Sequence, residues 1–296
     1  MYFDQSVAGM LVGRSQSGKN YLAATAFRAT GALADGQRWA ILQPTLYIDA
    51  EGSLTQGAMT GQPDHVVRRI GVTTPQDADN AMTEARTGRY PLAILDGWTR
   101  LFEKFAAHYQ ATRPGAKNAN QDWNKWARDD LARVLEQWFD LAVRPATRGM
   151  VLLSTALLTD QWAGDFQGGG RQIIGERIAV SETIGPRLMS HNHFIWTCAR
   201  QDPSPLLTAD GRGVDIAATN DAYARGELRS RYLCYTKPLA GMQWVKYQDG
   251  FASDVPAIAE SLDLGEVLSR HHDRHGLKVR RSELAAYAVA PAPAAA

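Results

Sequence analysis

Eight consecutive residues near the N-terminus, Gly13-Arg14-Ser15-Gln16-Ser17-Gly18-Lys19-Asn20, carry the clearest chemical pattern in the chain. They follow G-x-x-x-x-G-K and depart only at the last position, where Asn20 stands in place of the usual Ser or Thr. Glycines let backbone N–H groups turn inward around phosphate oxygens, and the start of a following helix adds partial positive charge. Lys19 would then reach the β- and γ-phosphates. The usual hydroxyl at the Asn20 position ligates Mg²⁺. An Asn amide oxygen can coordinate directly or through water, with reduced metal affinity or turnover expected. The competing reading, a Gly/Ser turn capping a helix, is disfavoured by a strand pattern before the motif and a helical one after it.

Two acids follow at apolar-run ends. Asp96 closes Leu92-Ala93-Ile94-Leu95 and precedes Gly97, a placement suited to holding Mg²⁺ through water. Glu51 lies in Tyr47-Ile48-Asp49-Ala50-Glu51-Gly52, where a carboxylate at a strand tip could act as general base on an attacking water. Taken singly, Asp96 reads equally well as a turn residue and Glu51 as an exposed loop acid.

The elements that must position these groups alternate. Val7–Val12, Thr45–Asp49, Pro91–Asp96 and Met150–Thr155 read as buried strands, with Val66–Val72 a weaker case interrupted by two arginines. A helix is expected from Lys19, with Leu22, Ala23, Ala26, Phe27, Thr30 and Leu33 on one face and Gly36 just past its end. Helices are also expected over 75–86, 122–143 and 256–272. Residues 107–121 read as a polar loop, and Ala163–Arg171, with Gly168-Gly169-Gly170, as a mobile glycine-rich one. Phe194–Cys198, Tyr232–Tyr235 and Met242–Tyr247 are later strands, the last two a hairpin. Strands alternating with helices imply an α/β fold: a mainly parallel central sheet flanked by helices, with an antiparallel C-terminal extension.

The order GRSQSGKN, YIDAEG and PLAILDGWTRL resembles the RecA-type P-loop ATPase core, and most of all the compact single-domain RecA-like ATPases of bacteriophages linked to recombination or single-strand annealing. The resemblance covers roughly residues 7–250. It implies ATP and Mg²⁺ as cofactors, Lys19 as the phosphate lysine, Glu51 as the catalytic glutamate and Asp96, with Asn20, as the metal site. It further implies a γ-phosphate sensor at the strand end Ser154-Thr155, without the usual Gln or His, and a mobile DNA-binding loop at about 160–175. The stretch YLCYTKPLAGMQWVKYQDG resembles the hairpin whose lysines reach a neighbouring subunit's nucleotide, which nominates Lys237 first and Lys246 second. By the same resemblance the chain forms a homo-oligomer, ring or filament, and works beside a single-strand-binding or annealing protein. The domain division expected is an ATPase domain over 1–250, a helical extension over 251–288 and a disordered Ala/Pro tail over 289–296.

Composition limits where nucleic acid could touch. The 296 residues carry 32 Lys plus Arg against 31 acids, a net charge of +1, which excludes a globally basic binder and leaves only local patches. Lys104, Arg113, Lys117, Lys125 and Arg128 face a single acid, Asp122, in the region expected to form the first DNA-facing loop. Trp162, Phe166 and Arg171 are candidates for stacking and phosphate contact from the glycine-rich loop. Trp123, Trp126 and Trp138 fall on an apolar helical stripe and are expected to pack. Arg270–Arg281 is a further basic patch, with a solvated helix end as its plainer reading. His191-Asn192-His193 is not a nuclease signature, because that name labels dispersed residues. With no apolar run of about 20 residues, no signal-peptide pattern and only Cys198 and Cys234, no membrane partner is expected and the cytoplasm, a host's if phage-encoded, is the expected compartment. The reading is an ATPase acting on single-stranded DNA; the alternatives are a nucleotide-dependent assembly or switch protein with weak or no hydrolysis, or another P-loop motor such as a helicase or packaging subunit.

Overall fold

The computed structural model describes residues 6–32, 38–42, 44–52, 66–113, 119–144, 147, 149–163, 172–180, 184–211, 213–239, 245–246, 255–260 and 262–268. In chain order the strands are β1 (Val7–Gly13), β2 (Arg28–Ala32), β3 (Arg38–Leu42), β4 (Thr45–Asp49), β5 (Val67–Gly71), β6 (Leu92–Asp96), β7 (Val151–Ala163), β8 (Gln172–Ile178), β9 (Phe194–Gln201), β10 (Arg231–Tyr235) and β11 (Ile258–Glu260). The helices are α1 (Lys19–Thr25), α2 (Pro75–Ala85), α3 (Trp98–Thr112), α4 (Ala119–Val143), α5 (Gly185–His191) and α6 (Ile216–Ala224).

The main sheet runs β11-β10-β9-β1-β7-β6-β4-β5, with β8 paired to the outer part of β7 and β2-β3 forming a separate ribbon. From β9 to β5 every pairing is parallel, whereas β10 and β11 join antiparallel. The expected fold class is therefore the one found. Full burial of β4 and β6 explains their unbroken apolar runs, since both faces of a parallel sheet are covered.

One face packs against α2, α3, α4 and α5 through Trp98, Leu101, Phe105, Leu131, Leu135, Trp138 and Leu188. Each such side chain contributes about 1.5–3 kcal/mol by leaving water. Trp98 and Trp138 meet edge to face at 6.3 Å, so these two tryptophans are structural. The other face is covered by α1 and the helical turn 264–268, over Leu11, Ile94, Leu153 and Trp196. Helix α2 begins with a reciprocal cap between Thr74 and Asp77 and has Pro75 in its first turn.

Several expectations from the sequence are corrected. The helix from Lys19 stops at Thr25: Leu22, Ala23, Ala26 and Phe27 are buried, but Thr30 belongs to strand β2. Thr30-Gly31 has poor helix propensity, and strand pairing to β3 wins there. The expected loop 107–121 is largely helix, α3 running to Thr112 and α4 starting at Ala119. Tyr109 ties the two helices together, with its hydroxyl donating to Asp130 and its ring beside Trp126. Strand β7 does not end at Thr155 but continues to Ala163 and pairs antiparallel with β8. Residues 160–163 and 172–175, the flanks of the loop expected at about 160–175, are thus a β-ribbon, whereas 164–171, nearly all of the expected glycine-rich loop, lie outside the described residues.

Strand β10 pairs with β9 and β11. Lys246 makes a single antiparallel bridge to Ile195, and the rest of the strand expected over 242–247 lies outside the described residues except Val245. Ile258–Glu260, expected to be helical, is the edge strand β11. Residues beyond 268, including the Arg270–Arg281 patch and the Ala/Pro tail, lie outside the described residues. Among the described residues no helix is long and apolar enough to cross a membrane.

Candidate functional site

Strand β1 delivers the glycine-rich loop to the carboxyl edge of the sheet, between β9 and β7. Gly13 has no room for a side chain: a Cβ there would come within 2.2 Å of the Cys198 carbonyl oxygen and 2.5 Å of Ser17 Oγ. The loop turns through positive φ at Gln16 and Gly18. Arg14, Ser15 and Gln16 point outward and are exposed, whereas Ser17 and Lys19 are buried.

Lys19 reaches back across the loop it follows. Its Nζ donates to the Arg14 carbonyl at 3.0 Å and to Ser17 Oγ at 3.5 Å. Burial lowers its pKa from the ordinary lysine value, opposed by the field of Cys198, Glu51 and Asp96. Among the described residues no carboxylate lies within ion-pairing distance of this ammonium. A buried cation whose partners are one carbonyl and one hydroxyl is under-compensated, and a polyphosphate would supply the missing negative charge.

The acids sit on the neighbouring strand ends. Parallel register places Asp49 beside Asp96 and Asp96 beside Thr155 across β4, β6 and β7. Asp96 is fully buried, accepting from Thr155 Oγ1 at 2.7 Å, from the Tyr47 hydroxyl, and from Asn20 Nδ2 at 2.8 Å. Burial raises its pKa to about 6, with the hydrogen bonds from Tyr47 and Thr155 pulling down and the charges of Glu51 and Asp49 pushing up. Burial, then the field of Asp96, also raises the Tyr47 phenol, so Tyr47 is a donor to the acid at neutral pH.

Glu51 lies next to this cluster, with Asn20 Nδ2 3.3 Å from its Oε2. Gly97, at φ 139°, makes room for it: a Cβ there would stand 2.7 Å from Glu51 Oε1. Asp49 has a different job. It accepts from the Gly52 amide at 2.6 Å and from Arg69 Nε at 2.9 Å, with Arg69 Nη2 as a further donor, which ties β4 to β5 and fixes the turn that presents Glu51.

Hard oxygen donors at Asp96 and Glu51 suit Mg²⁺, which is commonly held by one or two carboxylates with waters and phosphate oxygens completing its shell. Among the described residues no group of three or more His, Cys, Asp or Glu forms a closed metal cage. The residues fit a cation that arrives with a nucleotide, subject to the position of Asn20.

The remaining expected site residues are dispersed. Thr155, nominated as a phosphate sensor, is turned onto Asp96, and Ser154 points to the other face of β7, its hydroxyl buried without a protein partner. Lys237 follows β10, whose start, Arg231, pairs with Gln201 at the phosphate-loop edge, so the lysine lies towards the opposite edge. Lys246 is used locally, donating to the carbonyls of Met189 at 3.0 Å and Ser190 at 3.2 Å. Lys104 donates to the Val72 carbonyl at 2.9 Å from within α3. Arg113 lies over the rings of Trp126 and Tyr109, and Lys125 is exposed on α4. Trp162 is in β7, while Lys117, Phe166 and Arg171 lie outside the described residues.

The structure adds residues the motifs did not name. Tyr47 was within reach of the strand period, because it alternates with Asp49 on one face of β4. Nothing local flags the others. Arg14 pairs with Asp160 and Glu176 from the β7–β8 ribbon. Tyr232 lies against Gly18, where a Cβ would come within 2.9 Å of its ring, and Arg200 Nη1 donates to Gln16 Oε1 at 3.2 Å.

No family model matches the chain, and no curated protein matches it. Among solved structures, a KaiC-like protein from the hyperthermophilic archaeon Pyrococcus horikoshii OT3 is similar over 82% of this chain and 82% of that one, at 10% identity and a TM-score of 0.39. A likeness that loose transfers no residue roles, so the site rests on the chain's own mixed α/β sheet, phosphate loop and paired strand-end acids.

Proposed function

We propose that the chain binds ATP on Gly13–Asn20 and hydrolyses it as a RecA-like P-loop ATPase. The observation that carries this reading is Lys19, a buried ammonium drawn across a glycine loop with no anionic partner at contact distance among the described residues, beside two strand-end carboxylates. Lys19 would bind the phosphates, with Asp96 orienting the cation that accompanies them. The bound Mg²⁺ would supply charge neutralisation at the phosphates. Glu51, less buried than Asp96 and held open by Gly97, would take the proton of the attacking water.

Action on single-stranded DNA within a homo-oligomer is the further part of this proposal. Exposed Arg113 and Lys125 and the end of the β7–β8 ribbon are the surfaces it would use, with Lys237 reaching a neighbouring subunit's nucleotide. ATP turnover measured with and without single-stranded DNA tests both parts. Turnover that requires Lys19 and is lost in Glu51→Gln, with ATP binding retained, supports the ATPase. Stimulation by single-stranded DNA supports the DNA role, and its absence would remove that role alone.

A second reading, a nucleotide-dependent switch with little hydrolysis, is favoured by one observation. Asn20 points its amide hydrogens, and not its oxygen, at the carboxylates expected to hold the cation. ATP binding without turnover in the presence of DNA would select it.

A further inference from the structure

Asn20 replaces the hydroxyl that usually faces the cation, and its geometry says what it does in exchange. One nitrogen, Nδ2, lies 2.8 Å from Asp96 Oδ2 and 3.3 Å from Glu51 Oε2. An amide nitrogen and oxygen are told apart by their partners, and here both partners are carboxylates. Ionised carboxylates only accept, so the NH₂ must face them. Its two hydrogens serve the two acids, and the nitrogen stands between them where a cation would otherwise draw them together. The two acids come from different strand ends, β4 and β6, and the charge of Glu51 raises the cost of ionising Asp96.

We propose that Asn20 is a built-in cation surrogate: its side-chain NH₂ bridges Asp96 and Glu51, holds them in register and keeps a divalent cation out of the site while the amide stays in place. To ligate the cation through Oδ1, Asn20 must rotate and give up both hydrogen bonds. Ser or Thr at this position would offer an acceptor with no such rearrangement. The chain therefore binds nucleotide with little dependence on Mg²⁺, and releasing Asn20 is the step that admits the ion. The nucleotide arm of this proposal rests on the function proposed above, whereas the cation arm stands on the geometry alone.

Mn²⁺ serves as the probe for the cation arm, followed by the loss of its free electron-paramagnetic-resonance signal on titration into nucleotide-free protein. The parent chain is expected to bind Mn²⁺ at least tenfold more weakly than Asn20→Ser and Asn20→Ala, the first supplying an oxygen and the second only space. Equal Mn²⁺ affinity in the parent and both variants would overturn the proposal. Should one variant fail to fold by circular dichroism, the other decides.

A fluorescent ATP analogue tests the second arm. Its affinity for the parent chain is expected to change less than threefold between EDTA and excess Mg²⁺, and to rise at least tenfold in Asn20→Ser. A tenfold gain already present in the parent chain would overturn the surrogate role. If no chain binds the analogue, the ATPase reading fails, and the Mn²⁺ titration still decides the surrogate.

Discussion

On the Asp96 side of the phosphate loop the charge is sealed in. Asp96 has no exposed surface and is met by donors from three elements, Tyr47 on β4, Thr155 on β7 and Asn20 on α1. On the Arg14 side the same loop makes a second charged cluster in the open. Arg14 is 61% exposed and pairs with Asp160 and with Glu176 at 2.9 Å. Both clusters cross-link the loop to distant chain, but solvent decides their worth. Exposed pairs contribute about 0–1 kcal/mol because water and salt screen them. Buried groups interact in a lower effective dielectric, so removing one partner strands the others. The buried side therefore sets the protonation of the candidate site, and the exposed side can only adjust the loop.

The largest expected effect follows from the buried ammonium. Lys19→Ala should lower ATP affinity at least a hundredfold, about 3 kcal/mol, with no loss of thermal stability, because the change also removes an under-compensated buried charge. Calorimetric titration and a melting curve check the two halves. A destabilised Lys19→Ala protein would show that the ammonium holds the loop instead of waiting for a ligand.

Next comes the pH dependence of stability. The pKa of Asp96 is raised on folding from 3.8 to about 6, so the folded state holds this proton more tightly than the unfolded chain. Its contribution is full below the unfolded pKa and is lost as pH rises through about 6, on the order of 3 kcal/mol across that window. Denaturant midpoints compared between pH 4 and 7 should show a smaller pH-dependent loss in Asp96→Asn than in the parent. Identical profiles would mean the acid is not the titrating group.

Tyr47→Phe removes one donor from the buried acid and should cost about 1–3 kcal/mol in chemical denaturation. Its effect should be larger at pH 7, where Asp96 is ionised, than at pH 4. Arg14→Ala is the smallest expected change, within about 1 kcal/mol and weaker still in high salt. A loss above 2 kcal/mol at Arg14 would break the contrast between the two sides of the loop.

Much of the sheet was legible because buried parallel strands advertise themselves. TLYID, expected as a strand, is β4 without change, and PLAILD contains β6. The amphipathic period of 122–143 lies within α4 for the same reason, since Leu131, Val134, Leu135, Trp138 and Leu141 must all reach one face. Where the chain is polar or short of apolar pattern, tertiary pairing decided. Residues 107–112 are helical because Phe105 is buried and Tyr109 is anchored on α4, contacts between segments that no local pattern records. The strand after Met150 runs on to Ala163 because β8 is available to pair with it.

The glycine-rich loop, Lys19, Glu51 and Asp96 were readable from residue type and spacing, because phosphate chemistry demands glycines, an amine and strand-end acids in that order. What the tertiary structure alone decided is how those groups are shared. Strand register sets Thr155 and Tyr47 on Asp96, and the β7–β8 ribbon brings Asp160 and Glu176 to Arg14. In the sequence Asn20 is only a departure from Ser or Thr; in the fold its amide joins Asp96 and Glu51. The reason is physical: chemistry fixes which residue types a phosphate site needs, while distances between residues 20, 51 and 96 exist only after the sheet has formed.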